Sequence, residues 1–202
     1  MRLRVMAVGL MLGLCSMAGS AQMGMSASTS KSGEASSPAK SLDELLKLYE
    51  NEVMPVVKAM PADKYDFAPS TGTFATGSPE RFDTVRTFGQ QVLHVAEANY
   101  YFYSSVSGMK PDVDMTALQK KSESKSINKD EAVKALADSL AFAHKAIATI
   151  TPENAFVTIK AIDGMDTRAS LAAFGVAHGY DHYGQMVLYL RMNGIVPPGS
   201  KP

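Results

Sequence analysis

The sequence predicts an all-α fold, a four-helix bundle behind an N-terminal leader. Three observations predict it. Apolar residues recur at three- and four-residue intervals in four separate stretches, and cap and stop signals bracket those stretches. The 202-residue chain is also 46% hydrophobic with balanced charge, which places it inside ordinary globular composition. One domain over residues 41–198 accounts for all three, and the chain contains no internal repeat.

The leader comes first. Arg2 and Arg4 precede an uncharged apolar run from Val5 to Leu14 that is too short to span a bilayer, and Gly19-Ser20-Ala21 offers small residues for cleavage. Residues 1–21 therefore read as a signal peptide cut after Ala21, which predicts an exported protein, periplasmic or secreted, with no membrane attachment after cleavage. A lipoprotein signal is the rival reading, since Leu12 stands three before Cys15. Leu14 is larger than the residue that should precede a lipidated Cys. Residues 22–40 are Ser-rich with Gly24, Gly33 and Pro38, and read as a disordered linker that cannot bury enough surface to offset its ordering entropy.

The first helix is expected from Ser41, where Ser41-Leu42-Asp43-Glu44 has the spacing of a capping box. Leu42, Leu45, Leu46, Tyr49, Val53, Val56, Val57 and Met60 continue it as one stripe, with Pro55 a kink or a sign of the nearby end. Pro61 to Pro79 reads as a long irregular connection of the kind that often carries function. The second helix is expected from about Ser78, capped by that residue, to Val106, with Gly108 as its stop. Lys110 to Ile127 is polar and Lys-rich, and reads as a solvated loop more readily than as an anion-binding patch, because Asp112, Asp114 and Glu123 dilute its charge. Asn128 should cap the third helix, whose inward residues are Val133, Leu136, Leu140, Ala143 and Ile147. Phe156-Val157-Thr158-Ile159 reads as extended. The fourth helix should run from Asp166 or Thr167 to Asn193, ended by Asn193-Gly194 and Pro197-Pro198.

Composition narrows the function. Twenty Lys and Arg balance twenty Asp and Glu, so the chain lacks the positive field of a nucleic-acid binder. Loss of residues 1–21 removes Arg2, Arg4 and the single Cys, leaving a thiol-free domain with a charge of −2. Any metal must then be held by His and carboxylates.

His178 and His182 stand four apart on the fourth helix, rising about 6 Å and returning to within about 40° of the same face, so their imidazoles can converge on one ion. A zincin protease would need Glu directly after the first His, and that position is Gly179. On spacing alone the pair is as compatible with two hydrogen-bonded buried histidines as with a metal. His94 on the second helix is placed to meet them across a bundle core, and three His with an open position is the pattern of a catalytic metal site. Glu97, one turn beyond His94, is a candidate base, ligand or imidazole acceptor, or a solvated helix residue. His144 reads as a boundary residue, and Asp181 points about 100° away from His182, too far for direct ligation. Tyr100, Tyr101, Tyr103 and Tyr183 read chiefly as amphipathic core residues, with substrate orientation the minority role.

These residues together resemble the DinB-like superfamily. The resemblance rests on Ala62-Asp63-Lys64-Tyr65-Asp66-Phe67-Ala68-Pro69, on Leu93-His94-Val95-Ala96-Glu97, on His178-Gly179-Tyr180-Asp181-His182-Tyr183-Gly184-Gln185, and on the ending Leu190 to Pro198. It implies an up-down-down-up bundle, often a homodimer, that holds a divalent metal, zinc or nickel, on His94, His178 and His182. It implies either a metal-dependent hydrolase acting on a small molecule or a thiol-dependent transferase; the residues themselves offer Glu97 as the base of a hydrolase, and leave as the alternative a bundle in which metal serves structure alone. The signal peptide argues against the transferase, whose thiol is cytoplasmic.

Overall fold

The structure is a computed structural model that describes residues 33–70 and 85–200. The expected signal peptide, the first part of the linker, and Ser78 and Pro79 lie outside the described residues. The described chain contains α1 (Pro38–Ala59), α2 (Phe88–Ser107), α3 (Met115–Ser122), α4 (Lys129–Ile147), β1 (Thr158–Ile162), β2 (Met165–Thr167) and α5 (Arg168–Met192).

Helix α1 begins earlier than Ser41. Ser37 is its cap, accepting from the Lys40 N–H at 3.1 Å, and Pro38 occupies the first turn, where a missing N–H costs no helical bond. The Ser41 N–H already donates to the Ser37 carbonyl at 3.1 Å, so the expected capping box lies inside the helix and residues 38–40 belong to α1, not to the linker. Pro55 sits inside α1 four residues before its end.

The segment after α1 is a clamp. A single 3₁₀ turn over Ala62–Lys64 delivers Tyr65 into the core, where its hydroxyl donates to the Val57 carbonyl at 2.7 Å. The carbonyls of Tyr65 and Phe67 accept from the N–H groups of Gly89 and Phe88, both at 2.8 Å, and Asp66 Oδ1 accepts from the Ile127 N–H at 3.0 Å. The first residues of α2 and the approach to α4 are thereby satisfied by one short stretch of chain.

Helix α2 starts at Phe88, not near Ser78. Thr87 and Gln90 form a reciprocal capping box: the Gln90 N–H donates to Thr87 Oγ1 at 3.2 Å and the Thr87 N–H donates to Gln90 Oε1 at 2.9 Å. A second correction falls at Lys110 to Ile127, expected as a loop. There Asp114 caps the two-turn α3, accepting from the Ala117 N–H at 3.0 Å, and Leu118 is its one buried residue. Helix α4 starts at the expected cap, with Asn128 Oδ1 accepting from the Glu131 N–H at 3.1 Å.

The extended stretch begins two residues later than expected and is one arm of an antiparallel hairpin, β1 with β2. Asp163 and Gly164 connect the arms with φ of 49° and 81°. Two consecutive left-handed residues suit a two-residue hairpin turn of the type that follows strand twist, and Asp-Gly is a favoured pair there. Strand β2 leads directly into α5, with Thr167 as cap.

Helices α1 and α2 each pack against both α4 and α5. The core between them contains Tyr49, Tyr65, Phe88, Leu93, Tyr103, Leu136, Leu140, Leu171 and Met186, each less than 2% exposed. Two glycines of α5 set how closely it is approached. A Cβ on Gly179 would stand 2.5 Å from the ring of Tyr49, and one on Gly175 would stand 2.9 Å from the Tyr103 hydroxyl. The glycine that excludes the zincin motif thus has a packing reason: it admits a fully buried tyrosine beside His178. Among the described residues no helix is long and apolar enough to cross a membrane.

Candidate metal centre

The middle of α5 presents His178 and His182 to the first half of α2, and α2 presents His94 back. One potential ligand nitrogen from each of the three lies within 4.8 Å of the others. Ring centroids are 4.6 Å apart for His178 and His182, 4.8 Å for His94 and His182, and 5.3 Å for His94 and His178. His182 is buried and the other two are partly buried. Phe102 stands edge-on against His178 at 5.4 Å, with Phe174 at 6.4 Å, so one wall of the cluster is aromatic.

The hydrogen bonds settle which nitrogen of His182 faces inward. Its Nδ1 is 2.6 Å from Gln91 Oε1, an amide oxygen that can only accept, so Nδ1 carries the proton and Nε2 is a bare lone pair. That Nε2 stands 3.2 Å from Nε2 of His178. The separation is close to the edge of a tetrahedron whose metal–nitrogen bonds are about 2.0–2.1 Å, for which geometry gives about 3.4 Å. His178 Nδ1 is buried without a partner, and the ring of His94 makes no hydrogen bond among the described residues. Three imidazoles with so little of their hydrogen-bonding capacity used, gathered at ligand spacing, fit a borderline divalent cation.

The electrostatics agree. Burial pushes His94 down to about 3, with the Arg86 guanidinium and the neighbouring imidazoles adding to it. Burial likewise pushes His182 down to about 4, assisted by His178 and opposed by Asp181, and lowers His178. The cluster is therefore neutral at physiological pH, the state in which imidazole ligates.

A further set of residues stands behind the cluster. Gln91 Nε2 donates to Gln185 Oε1 at 2.7 Å, and Gln185 Nε2 donates to Asp181 Oδ2 at 3.1 Å. Gln185 belongs to the last-helix segment that carries the family resemblance, whereas Gln91 reads in sequence like any other helical glutamine, and local pattern assigns a role to neither. The one signal is spacing: Gln91 stands one turn before His94 and Gln185 one turn after His182, so each shares a face with a candidate ligand.

Other expected residues lie elsewhere. Glu97 is partly buried, and its Oε2 accepts from the Ser122 hydroxyl of α3 at 3.0 Å; it is not among the converging groups. His144 on α4 is 2.5 Å through Nδ1 from Asp43 and 3.0 Å through Nε2 from Glu50, both on α1. Tyr103 is buried with its hydroxyl on the Ala172 carbonyl at 3.1 Å, Tyr100 packs on Phe142, and Tyr101 is 56% exposed.

A predominantly helical domain that gathers three neutral imidazoles from two facing helices defines a class, proteins with a His-only site suited to a transition metal. Within it, residues 45–186 match the family model described as the DinB superfamily, and the chain belongs to that superfamily. No curated protein matches the chain.

Proposed function

We propose that the domain is a four-helix, up-down-down-up bundle that binds one divalent metal, zinc or nickel, on His94, His178 and His182 and acts as an exported metal-dependent hydrolase. The observation that carries the reading is the inward-facing lone pair of His182 at 3.2 Å from Nε2 of His178, with His94 completing a trio that contains no carboxylate. A divalent metal held by these three neutral ligands would keep its full charge, and would supply Lewis-acid activation of water and polarisation of an electrophile.

The chain's own residues shape the rest. Phe102 and Phe174 keep solvent from the His178 side, which strengthens electrostatic interactions inside the site. Gln91 holds His182 in the ligating tautomer. Glu97 is the candidate base, and to serve it must exchange the Ser122 hydroxyl for a substrate proton, which a movement of the short helix α3 would permit. The Arg and apolar pattern of residues 1–21 supports export, and a compartment without low-molecular-weight thiols favours hydrolysis over thiol transfer.

Elemental analysis of the purified mature protein, with turnover of an ester and amide panel, tests the reading. One metal per chain and hydrolysis lost in both His178→Ala and Glu97→Gln is the expected result. Metal binding with turnover unchanged in His178→Ala would refute the enzyme reading, and no bound metal would refute the site.

A further inference from the structure

The hydrogen bonds behind His182 all run in one direction and end on a carboxylate. An ionised Asp181 has only acceptor oxygens, so Gln185 must turn its NH₂ toward it and its oxygen toward Gln91. Gln91 must then donate to Gln185, which turns its own oxygen toward His182. With an oxygen there, Nδ1 of His182 has to carry the proton. The opposite setting of both amides would present an NH₂ to Nδ1, force the proton onto Nε2, and aim that N–H at His178, where it would occupy the ligand position.

We propose that Asp181, acting through Gln185 and Gln91, is a positioning residue that fixes the Nδ1–H tautomer of His182 and keeps its Nε2 free for a metal; the metal part of this statement rests on the three-His reading above. Asp181 does not touch the cluster. It lies on the outer side of α5, and its effect travels about one helical turn along α5 to Gln185, across to α2 at Gln91, and back to α5 at His182. The arrangement does the work of the carboxylate–histidine pairs that orient metal ligands, with two amides inserted between acid and imidazole. It places the acid at the surface while the imidazole stays buried among neutral groups. Since Asp181 is exposed, its replacement leaves the core untouched.

The test has two readouts on the intact domain. Long-range ¹⁵N–¹H spectra of the metal-free protein report the tautomer of His182, and competition against a chromophoric chelator reports zinc affinity. The wild type should show Nδ1–H alone. Asp181→Asn should give a mixture of tautomers and about tenfold weaker zinc binding, and Gln91→Leu should weaken binding about 10–100-fold. Gln91→Glu, which gives His182 a carboxylate directly, should restore the single tautomer and make the further change Asp181→Asn silent. A purely structural role for Asp181 would show no such rescue. Tautomer shifts in Asp181→Asn without zinc uptake by any form would uphold the relay and overturn the metal reading. A wild type with Nε2–H at His182, or an Asp181→Asn protein indistinguishable in both readouts, would overturn the relay itself.

Discussion

Four histidines occupy this domain in two contrasting environments, and the contrast shows what leaves an imidazole available to a ligand. His144 bridges Asp43 and Glu50 of α1, with a carboxylate oxygen at each ring nitrogen. Burial raises Asp43, but the Lys47 ammonium at 2.6 Å and the His144 ring outweigh it and hold the carboxyl below its usual value. Both ring nitrogens of His144 are used within the protein, and the result is a tie between α1 and α4. At the other site His94, His178 and His182 have one amide oxygen and one another, amid Phe102 and Phe174. The same side chain, withheld from carboxylates and kept neutral by burial, retains lone pairs for an external ion.

The comparison is sharpened most by metal-induced stabilisation. Zinc at one hundred times its dissociation constant should stabilise the wild-type domain by about 2.7 kcal/mol, read as a rise in Tm, and His178→Ala should abolish the rise. Next in size is the packing that seats the cluster. Gly179→Ala drives a methyl into the buried ring of Tyr49 and should destabilise by about 1–3 kcal/mol in urea unfolding, despite the better helix propensity of Ala. A variant as stable as wild type would show that α1 can retreat from α5 without cost.

His94 and His182 titrate lower in the folded chain than in the unfolded one, so between about pH 6.5 and 4 the unfolded state binds more protons and stability falls as pH falls. The metal-free domain should lose Tm steadily across that window, and His182→Gln should flatten the slope. The smallest effect belongs to His144. Its ring is partly exposed and its partners are accessible, so His144→Ala should cost about 1 kcal/mol and leave zinc affinity unchanged.

The sequence made the three-His site legible and left its support hidden. Spacing of four on one helix, and a single His on the opposing one, needs only helical geometry. Gln91 and Gln185 matter through a contact between α2 and α5 that no local pattern encodes. Helix starts show a similar division. Asn128 was readable because cap and Glu lie directly before an apolar stripe, whereas Ser41 and Ser78 had equally good local chemistry and lost to alternatives. At α1 the competitor was Ser37-Pro38, which extends the helix by a turn. At α2 it was Thr87-Phe88-Gly89-Gln90, itself a capping box, selected because its position lets Tyr65 and Phe67 satisfy the first N–H groups. Helix α3 buries one residue and so carried no periodicity to detect, while Asp163-Gly164 was a hairpin signal open to reading beside the extended stretch.

The most direct test of the account is a zinc titration of metal-free wild type, His94→Ala and His144→Ala side by side, with bound metal counted per chain. One tightly bound zinc is expected in the wild type, the same in His144→Ala, and binding lost in His94→Ala. Loss of zinc in His144→Ala, or its retention in His94→Ala at wild-type affinity, would contradict it.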